Sequence, residues 1–306
     1  MTAKIINGKE IAEQIGEEIR AEMATLKADY GIIPGLASVI VGCDGASLVY
    51  VGNKVAMCQR LGMHSERHDL PVDTTEERLL ELITRLNESP WIHGVLVQLP
   101  LPPHISETRV LMAINPLKDV DGVHPVNVGK MIIGEADFLP CTPAGVHELL
   151  LRTGVEMDGA EVVVVGRSNT VGKPIASILV QKQTGANATV TMCHSHTRDL
   201  KMHTLKADIL IAAAGKPKRI TADMVKEGVV VIDVGTNEIG KTPEGKRILV
   251  GDVDFEPVKA KAAAITPVPG GVGPMTIIML MKNTVKAAKI AAGLAHPAEV
   301  KYAISV

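Results

Sequence analysis

Apolar positions recur near the helical period over residues 9–28, at Ile11, Ile15, Ile19, Met23 and Leu26, which predicts an amphipathic helix. LASVIVG (36–42) reads as a strand. CDGAS (43–47) reads as a turn, with Ser47 placed to cap a helix that runs to about Leu61 and stops at Gly62. Residues 63–70 fit a second strand. TTEERLLELITRLNES opens on a Thr cap and continues as a helix, and IHGVLVQLPLPPH holds a third strand closed by prolines. The order β-α-β-α-β is that of a parallel sheet covered by helices.

Residues 104–140 carry a looser pattern, and TPAGVHELLLRTG (142–154) predicts a helix with Pro just after its Thr cap. A second β-α series follows, with strands at EVVVVG (161–166), ATVTMCHS (188–195), DILIAAAG (208–215) and GVVVIDVG (228–235). A last helix spans about Met275–Ala292. Two α/β domains are expected, the second Rossmann-like over 142–274. The first is discontinuous, over 1–141 and 275–306, because the final helix is expected to pack back on it.

Composition narrows the partners. Over 306 residues the net charge is -2, so no basic field points to nucleic acid, and aromatics at 2% leave almost no stacking platforms. The four cysteines, Cys43, Cys58, Cys141 and Cys193, form no CxxC pair, which argues against zinc or a disulfide framework and for a reducing cytoplasm. MTAKIINGKE lacks the apolar core of a signal peptide, and the apolar run Met275–Met281 is too short to cross a bilayer, so no membrane partner is expected.

The nucleotide signal lies in EVVVVGRSNTVGKPIASIL. An apolar strand runs into Gly166, a polar loop follows, and a helix begins after Gly172 and Pro174. Such a turn brings backbone N–H groups and a helix N-terminus to a phosphate, although the spacing is not GxGxxG and a plain tight turn is the alternative. The second strand of the series ends Cys193-His194-Ser195, without the carboxylate that holds a ribose 2′-hydroxyl in NAD sites. Arg167 directly after the first glycine, with Ser195, suits a 2′-phosphate, and the cofactor expected is NADP.

Other stretches are weaker. His64 and His68 stand four apart on a strand, a spacing not expected to converge, and no metal is expected. Asp119 and Asp121 in KDVDGVHP read as a turn or as a carboxylate facing a ligand; the later positions of a calcium loop are missing. TPVPGGVGP (266–274) is a stiff loop in which Gly270 and Gly271 let a flat ligand approach the backbone, or a rigid connector. In SLVYVGNK (47–54), Ser47, Tyr50 and Lys54 fall on one helical stripe, which by spacing alone is commonly a solvated face.

Six motifs in register change that reading: YxxxK in SLVYVGNK, VQLPLP (97–102), KDVDG (118–122), PCTPAG (140–145), VVVVGRSNTVGKP (162–174) and PVPGGVGPMT (267–276). Together they resemble the bifunctional methylenetetrahydrofolate dehydrogenase/methenyltetrahydrofolate cyclohydrolase family, over roughly residues 1–290. The resemblance implies two domains joined by long helices with an interdomain cleft. It implies NADP-dependent oxidation of 5,10-methylenetetrahydrofolate to 5,10-methenyltetrahydrofolate and hydrolysis of that cation to 10-formyltetrahydrofolate, within one-carbon metabolism and purine biosynthesis. A monofunctional NADP-dependent dehydrogenase is the alternative. By the resemblance Lys54 is the catalytic lysine, Gln98 its partner and Tyr50 the ring that stacks on folate. Asp121 grips the pterin, Ser47 supports it, and Pro269, Gly270 and Gly271 lie beside the folate. Gly166, Arg167, Ser168, Gly172, Ser195, Gly235 and Thr236 are the expected cofactor contacts. A homodimer is implied in the same way.

Overall fold

The structure is a computed structural model that describes residues 3–42, 45–243 and 245–297, with the helical backbone alone for 45–50. The chain divides into two compact units, residues 1–13 with 142–276, and residues 14–141 with 277–306. It opens with β1 (Lys4–Ile5) and α1 (Gly8–Tyr30), and the first boundary falls inside α1.

In the unit of residues 14–141, β2 (Gly35–Val41), α2 (Gly45–Leu61), β3 (His64–Leu70), α3 (Glu76–Glu88) and β4 (Gly94–Val97) follow in turn. The sheet is parallel with order β3-β2-β4. Its central strand, β2, is buried at all seven positions, as a strand covered on both faces must be. The edge strand β3 carries only exposed and half-buried residues. On α3 the Thr75 hydroxyl accepts from the Arg78 N–H at 3.3 Å, and Leu79, Leu82, Ile83 and Leu86 form the buried stripe. They pack with Val39, Ile92, Val95 and Val97 in one apolar core. Two expectations shift. α2 already begins at Gly45, so Ser47 lies inside the helix rather than capping it. The loose stretch contains α4 (Glu107–Ala113), capped by Ser106, and α5 (Pro125–Ile132), capped by His124, both too short for a periodic pattern to reveal.

The other unit holds α6 (Cys141–Arg152), β5 (Glu161–Val165), α7 (Gly172–Leu179), β6 (Thr189–Cys193), α8 (Leu200–Thr204), β7 (Ile209–Ala212) and β8 (Val230–Asp233). The hairpin β9 (Asn237–Lys241) and β10 (Arg247–Val250) comes next, then α9 (Phe255–Lys259), β11 (Ala264–Ile265) and α10 (Val272–Ala291), inside which the last boundary falls. Six strands form a parallel sheet in the order β1-β11-β8-β7-β5-β6. The four expected strands run side by side as β8-β7-β5-β6, with β6 at one edge, and β11 and β1 extend the sheet beyond β8. Residues 1–13 therefore depart from the expected division: Lys4 and Ile5 pair with Ala264 and Ile265, and this ladder ties the N-terminus to the nucleotide-type sheet. Val163, Val165, Leu210, Val231 and Ile265 are buried in its core. No helix among the described residues is long and apolar enough to cross a membrane.

Candidate active site

Lys54 lies on α2, and its side chain is 5% exposed. Its ammonium donates to Gln98 Oε1 at 3.1 Å. Gln98 follows β4 and is held at three points: its backbone N–H donates to Val39 O at 2.8 Å, its Nε2 donates to Leu99 O at 2.8 Å, and its Oε1 is left facing the lysine. Burial lowers the Lys54 pKa from its ordinary value, while the negative charge of Asp121 pulls it back up. Asp121, Lys54 and Cys141 thus share one electrostatic neighbourhood within the unit of residues 14–141. Ser47 and Tyr50 sit in the same helix, and their side chains lie outside the described residues, as does Cys43.

The loop carrying Asp121 is built to stay in place. Val95 N–H donates to Lys118 O at 2.8 Å, and Lys118 Nζ donates to Leu86 O and Ser89 O at the end of α3. Buried Asp119 is the turn residue: its carboxylate accepts from the Val123 and His124 N–H groups and from Asn127 Nδ2 at 3.3, 2.8 and 2.8 Å. A side chain at Gly122 (φ +70°) would lie 2.6 Å from Leu139 C. Asp121 is left half-buried beside Cys141. The Cys141 thiol donates to Val120 O at 3.3 Å, and burial with the Asp121 charge pushes its pKa well above its ordinary value. Sequence reasoning set Cys141 aside because it forms no motif with another cysteine; only the fold brings it to Asp121.

Pro269, Gly270 and Gly271 belong to the other unit. Gly270 O accepts from Lys9 N–H at 3.1 Å, and a Cβ on Gly8 would lie 1.8 Å from Gly271 O. The start of α1 therefore packs directly on this backbone.

The strand-to-helix turn after β5 is as tight as expected. Gly166 has φ +143°, and a Cβ there would lie 2.1 Å from Ala213 O; one on Gly172 would lie 2.3 Å from Gly166 O. Ser168 Oγ accepts from the Val171 and Gly172 N–H groups at 3.1 and 3.3 Å, closing the turn at the start of α7. Arg167 is exposed on it. His194, at the end of β6, has a lowered pKa through desolvation and then through the Arg167 charge, so the guanidinium lies close to that strand end. Ser195 is exposed there, and the end of β6 carries no carboxylate. A close-backbone turn, a helix N-terminus and a guanidinium fit a dinucleotide phosphate. Thr236 is exposed, whereas Gly235 has a reason within the fold: its Cβ would lie 2.2 Å from Asp252 Oδ1. Asp252 and Asp233 were not anticipated, since each simply follows an apolar run.

The Nε2 atoms of His64 and His68 each bond a different oxygen of Glu66, both at 3.2 Å, because residues two apart share a face of β3.

Fold and site define an α/β enzyme with a dinucleotide-type unit and a second unit that presents a buried amine beside a carboxylate. The chain belongs to the tetrahydrofolate dehydrogenase/cyclohydrolase family: residues 6–121 match the profile of its catalytic domain and residues 140–292 that of its NAD(P)-binding domain. It is 67% identical over 294 residues to the bifunctional protein FolD of Dehalococcoides mccartyi, covering 96% of this chain and 99% of that one. It is 46% identical to the crystal structure of the bifunctional FolD methylenetetrahydrofolate dehydrogenase/cyclohydrolase of Campylobacter jejuni, with a TM-score of 0.88 and coverage of 94% and 99%. A Trypanosoma brucei FolD solved with NADP cofactor and inhibitor is 40% identical, with a TM-score of 0.91 and coverage of 95% and 99%. The activity is the bifunctional one, dehydrogenase and cyclohydrolase, and the monofunctional alternative is not favoured.

Proposed function

We propose that Lys54, Gln98 and Asp121 serve both reactions of this chain on the folate, and that NADP is held on the β5–α7 turn. The observation that carries the reading is the 3.1 Å contact from Lys54 Nζ to Gln98 Oε1 at a lysine only 5% exposed. NADP, when bound, accepts hydride from the one-carbon bridge of 5,10-methylenetetrahydrofolate. For that step the protein needs to orient the folate and exclude water more than to move protons.

In the hydrolysis, water adds to the methenyl carbon and releases one proton, the bond from that carbon to N5 breaks, and N5 takes up the second proton. Lys54 holds the water and accepts its proton, which a lysine of lowered pKa does more readily at neutral pH. Gln98 fixes the amine, accepting from the ammonium through Oε1. Asp121 accepts hydrogen bonds from the pterin. Tyr50 lies one helical turn before Lys54 and stacks on the folate, Ser47 supports it, and Pro269, Gly270 and Gly271 are further folate contacts. Gly166, Ser168, Gly172 and Thr236 hold the pyrophosphate and nicotinamide portions, with Gly235 beside them. Arg167 and Ser195 hold the 2′-phosphate. The NADP-bound relative supports this cofactor.

The chain acts in this reading as a homodimer in the cytoplasm, which the three buried free thiols, Cys58, Cys141 and Cys193, suit. One experiment tests the reading: the purified chain with 5,10-methylenetetrahydrofolate and NADP produces NADPH, and then converts methenyltetrahydrofolate to the 10-formyl product. NADPH formation without hydrolysis contradicts the bifunctional role of Lys54.

A further inference from the structure

The sheet has a reversal in its strand order. β5 leads through α7 to β6 on one side, and β7 lies on its other side. The carboxyl ends of β5 and β7 therefore flank the crevice in which open parallel sheets take their ligands. The loop after β7, residues 213–216, forms one wall, and its contact with the phosphate turn is direct: the Cβ position of Gly166 is 2.1 Å from Ala213 O.

Three successive N–H groups of this loop converge on one carboxylate. Ala214 and Gly215 donate to Asp252 Oδ2 at 2.5 and 2.8 Å, and Lys216 donates to Oδ1 at 2.9 Å. Asn237 Nδ2 adds a fourth bond to Oδ1 at 2.9 Å. Asp252 is 0% exposed. It is fixed in turn by Asp233, whose Oδ1 accepts from the Asp252 and Gly235 N–H groups at 2.9 and 3.0 Å, and whose Oδ2 accepts from Val253 N–H at 2.9 Å. Burying a carboxylate is costly, and an apolar side chain would fill the space with less penalty. What the carboxylate adds is direction. It sets the orientation of three consecutive peptide groups and holds Gly215 at φ +62°.

We infer that Asp252 is a positioning residue for the dinucleotide: its carboxylate holds the 213–216 loop against Gly166 and so shapes the crevice between β5 and β7. The inference rests on the proposed NADP site. It separates the two activities of the chain, because only the dehydrogenase uses a dinucleotide.

The test measures NADP binding by calorimetry, the dehydrogenase KM for NADP and for folate, and cyclohydrolase kcat/KM without any dinucleotide, all on the full chain. Asp252→Asn is expected to raise the NADP Kd and KM about tenfold, while KM for folate and cyclohydrolase kcat/KM stay within about threefold of the parent. Gly215→Ala strains the same loop through its positive φ without touching the carboxylate and is expected to move the same constants in the same direction. Asn237→Ala leaves all three loop bonds in place and is expected to change NADP binding by no more than about threefold. Parallel loss of both activities, or parental NADP affinity in folded Asp252→Asn or Gly215→Ala, overturns the inference. Where Asp252→Asn does not fold, Gly215→Ala decides by the same constants. If the parent chain itself takes no NADP, the proposed cofactor is wrong; if it takes NADP and the variants match it, this inference alone fails.

Discussion

Lys54 Nζ and Gln98 Oε1 lie 3.1 Å apart, one on a helix and the other at a strand end, with the lysine almost wholly out of water. Neither element alone would hold the amine. The strand fixes Gln98 through Val39, and Gln98 fixes the lysine. Removing the amide takes one charge-assisted hydrogen bond from a buried ammonium, which costs about 1.5–3 kcal/mol. Gln98→Ala is expected to lower cyclohydrolase kcat by about 10- to 100-fold, the kinetic equivalent of that energy, in a steady-state assay on methenyltetrahydrofolate.

The protonation of Lys54 gives a pH signature. Burial holds its pKa below the ordinary lysine value, so the neutral amine gains population at lower pH than in a free lysine. Cyclohydrolase kcat is expected to rise with pH and to level off below the ordinary lysine pKa of about 10.4. Asp121→Asn removes the carboxylate charge that raises that pKa, so the rising limb is expected to move to lower pH. The same variant is expected to raise the folate KM about tenfold through the lost charge-assisted hydrogen bond. An unmoved limb would show that the carboxylate does not act on the amine.

Arg167 tests the cofactor. It stands exposed between the phosphate turn and the end of β6, where no carboxylate is present to hold a ribose hydroxyl. Arg167→Ala is expected to raise the KM for NADP about tenfold or more and that for NAD less than about threefold, because only NADP carries the 2′-phosphate. Initial rates with both cofactors give the comparison, and an equal effect on both contradicts it.

Most of the frame was legible because long apolar runs and periodic stripes announce themselves. The seven buried residues of β2 and the stripe from Leu79 to Leu86 are visible without coordinates. The short helices α4 and α5 were not, since one or two turns give no period. Lys54, Gln98 and Asp121 stand in motifs that the sequence displays, while their mutual approach needed the fold. Cys141 and Asp252 stayed hidden for a physical reason: a thiol or carboxylate gains its meaning from the groups it faces, and those lie far away in sequence. Gly235 shows the reverse case, a motif glycine whose smallness answers to Asp252.

Asp233 yields a prediction on stability. Burial pushes its pKa up to about 7, with the Asp252 charge adding to the effect against three N–H donors. In the unfolded chain an aspartate titrates near 3.9, so between the two values the folded protein keeps a proton that the unfolded chain has lost. The stability contributed by this group therefore falls as pH rises from about 4 to 7, by at most about 4 kcal/mol. Urea unfolding at pH 5 and pH 8 is expected to show Asp233→Asn losing less stability over that interval than the parent. A difference between the two proteins that does not change with pH contradicts the shift.

The most direct measurement is the ratio of the two activities in Lys54→Met, a substitution that keeps the apolar stem and removes the amine. Cyclohydrolase kcat is expected to drop by about 100-fold or more, the usual loss when a proton-transfer group is deleted, with dehydrogenase kcat reduced far less. Hydrolysis of methenyltetrahydrofolate at the parental rate by a folded Lys54→Met protein would contradict the account.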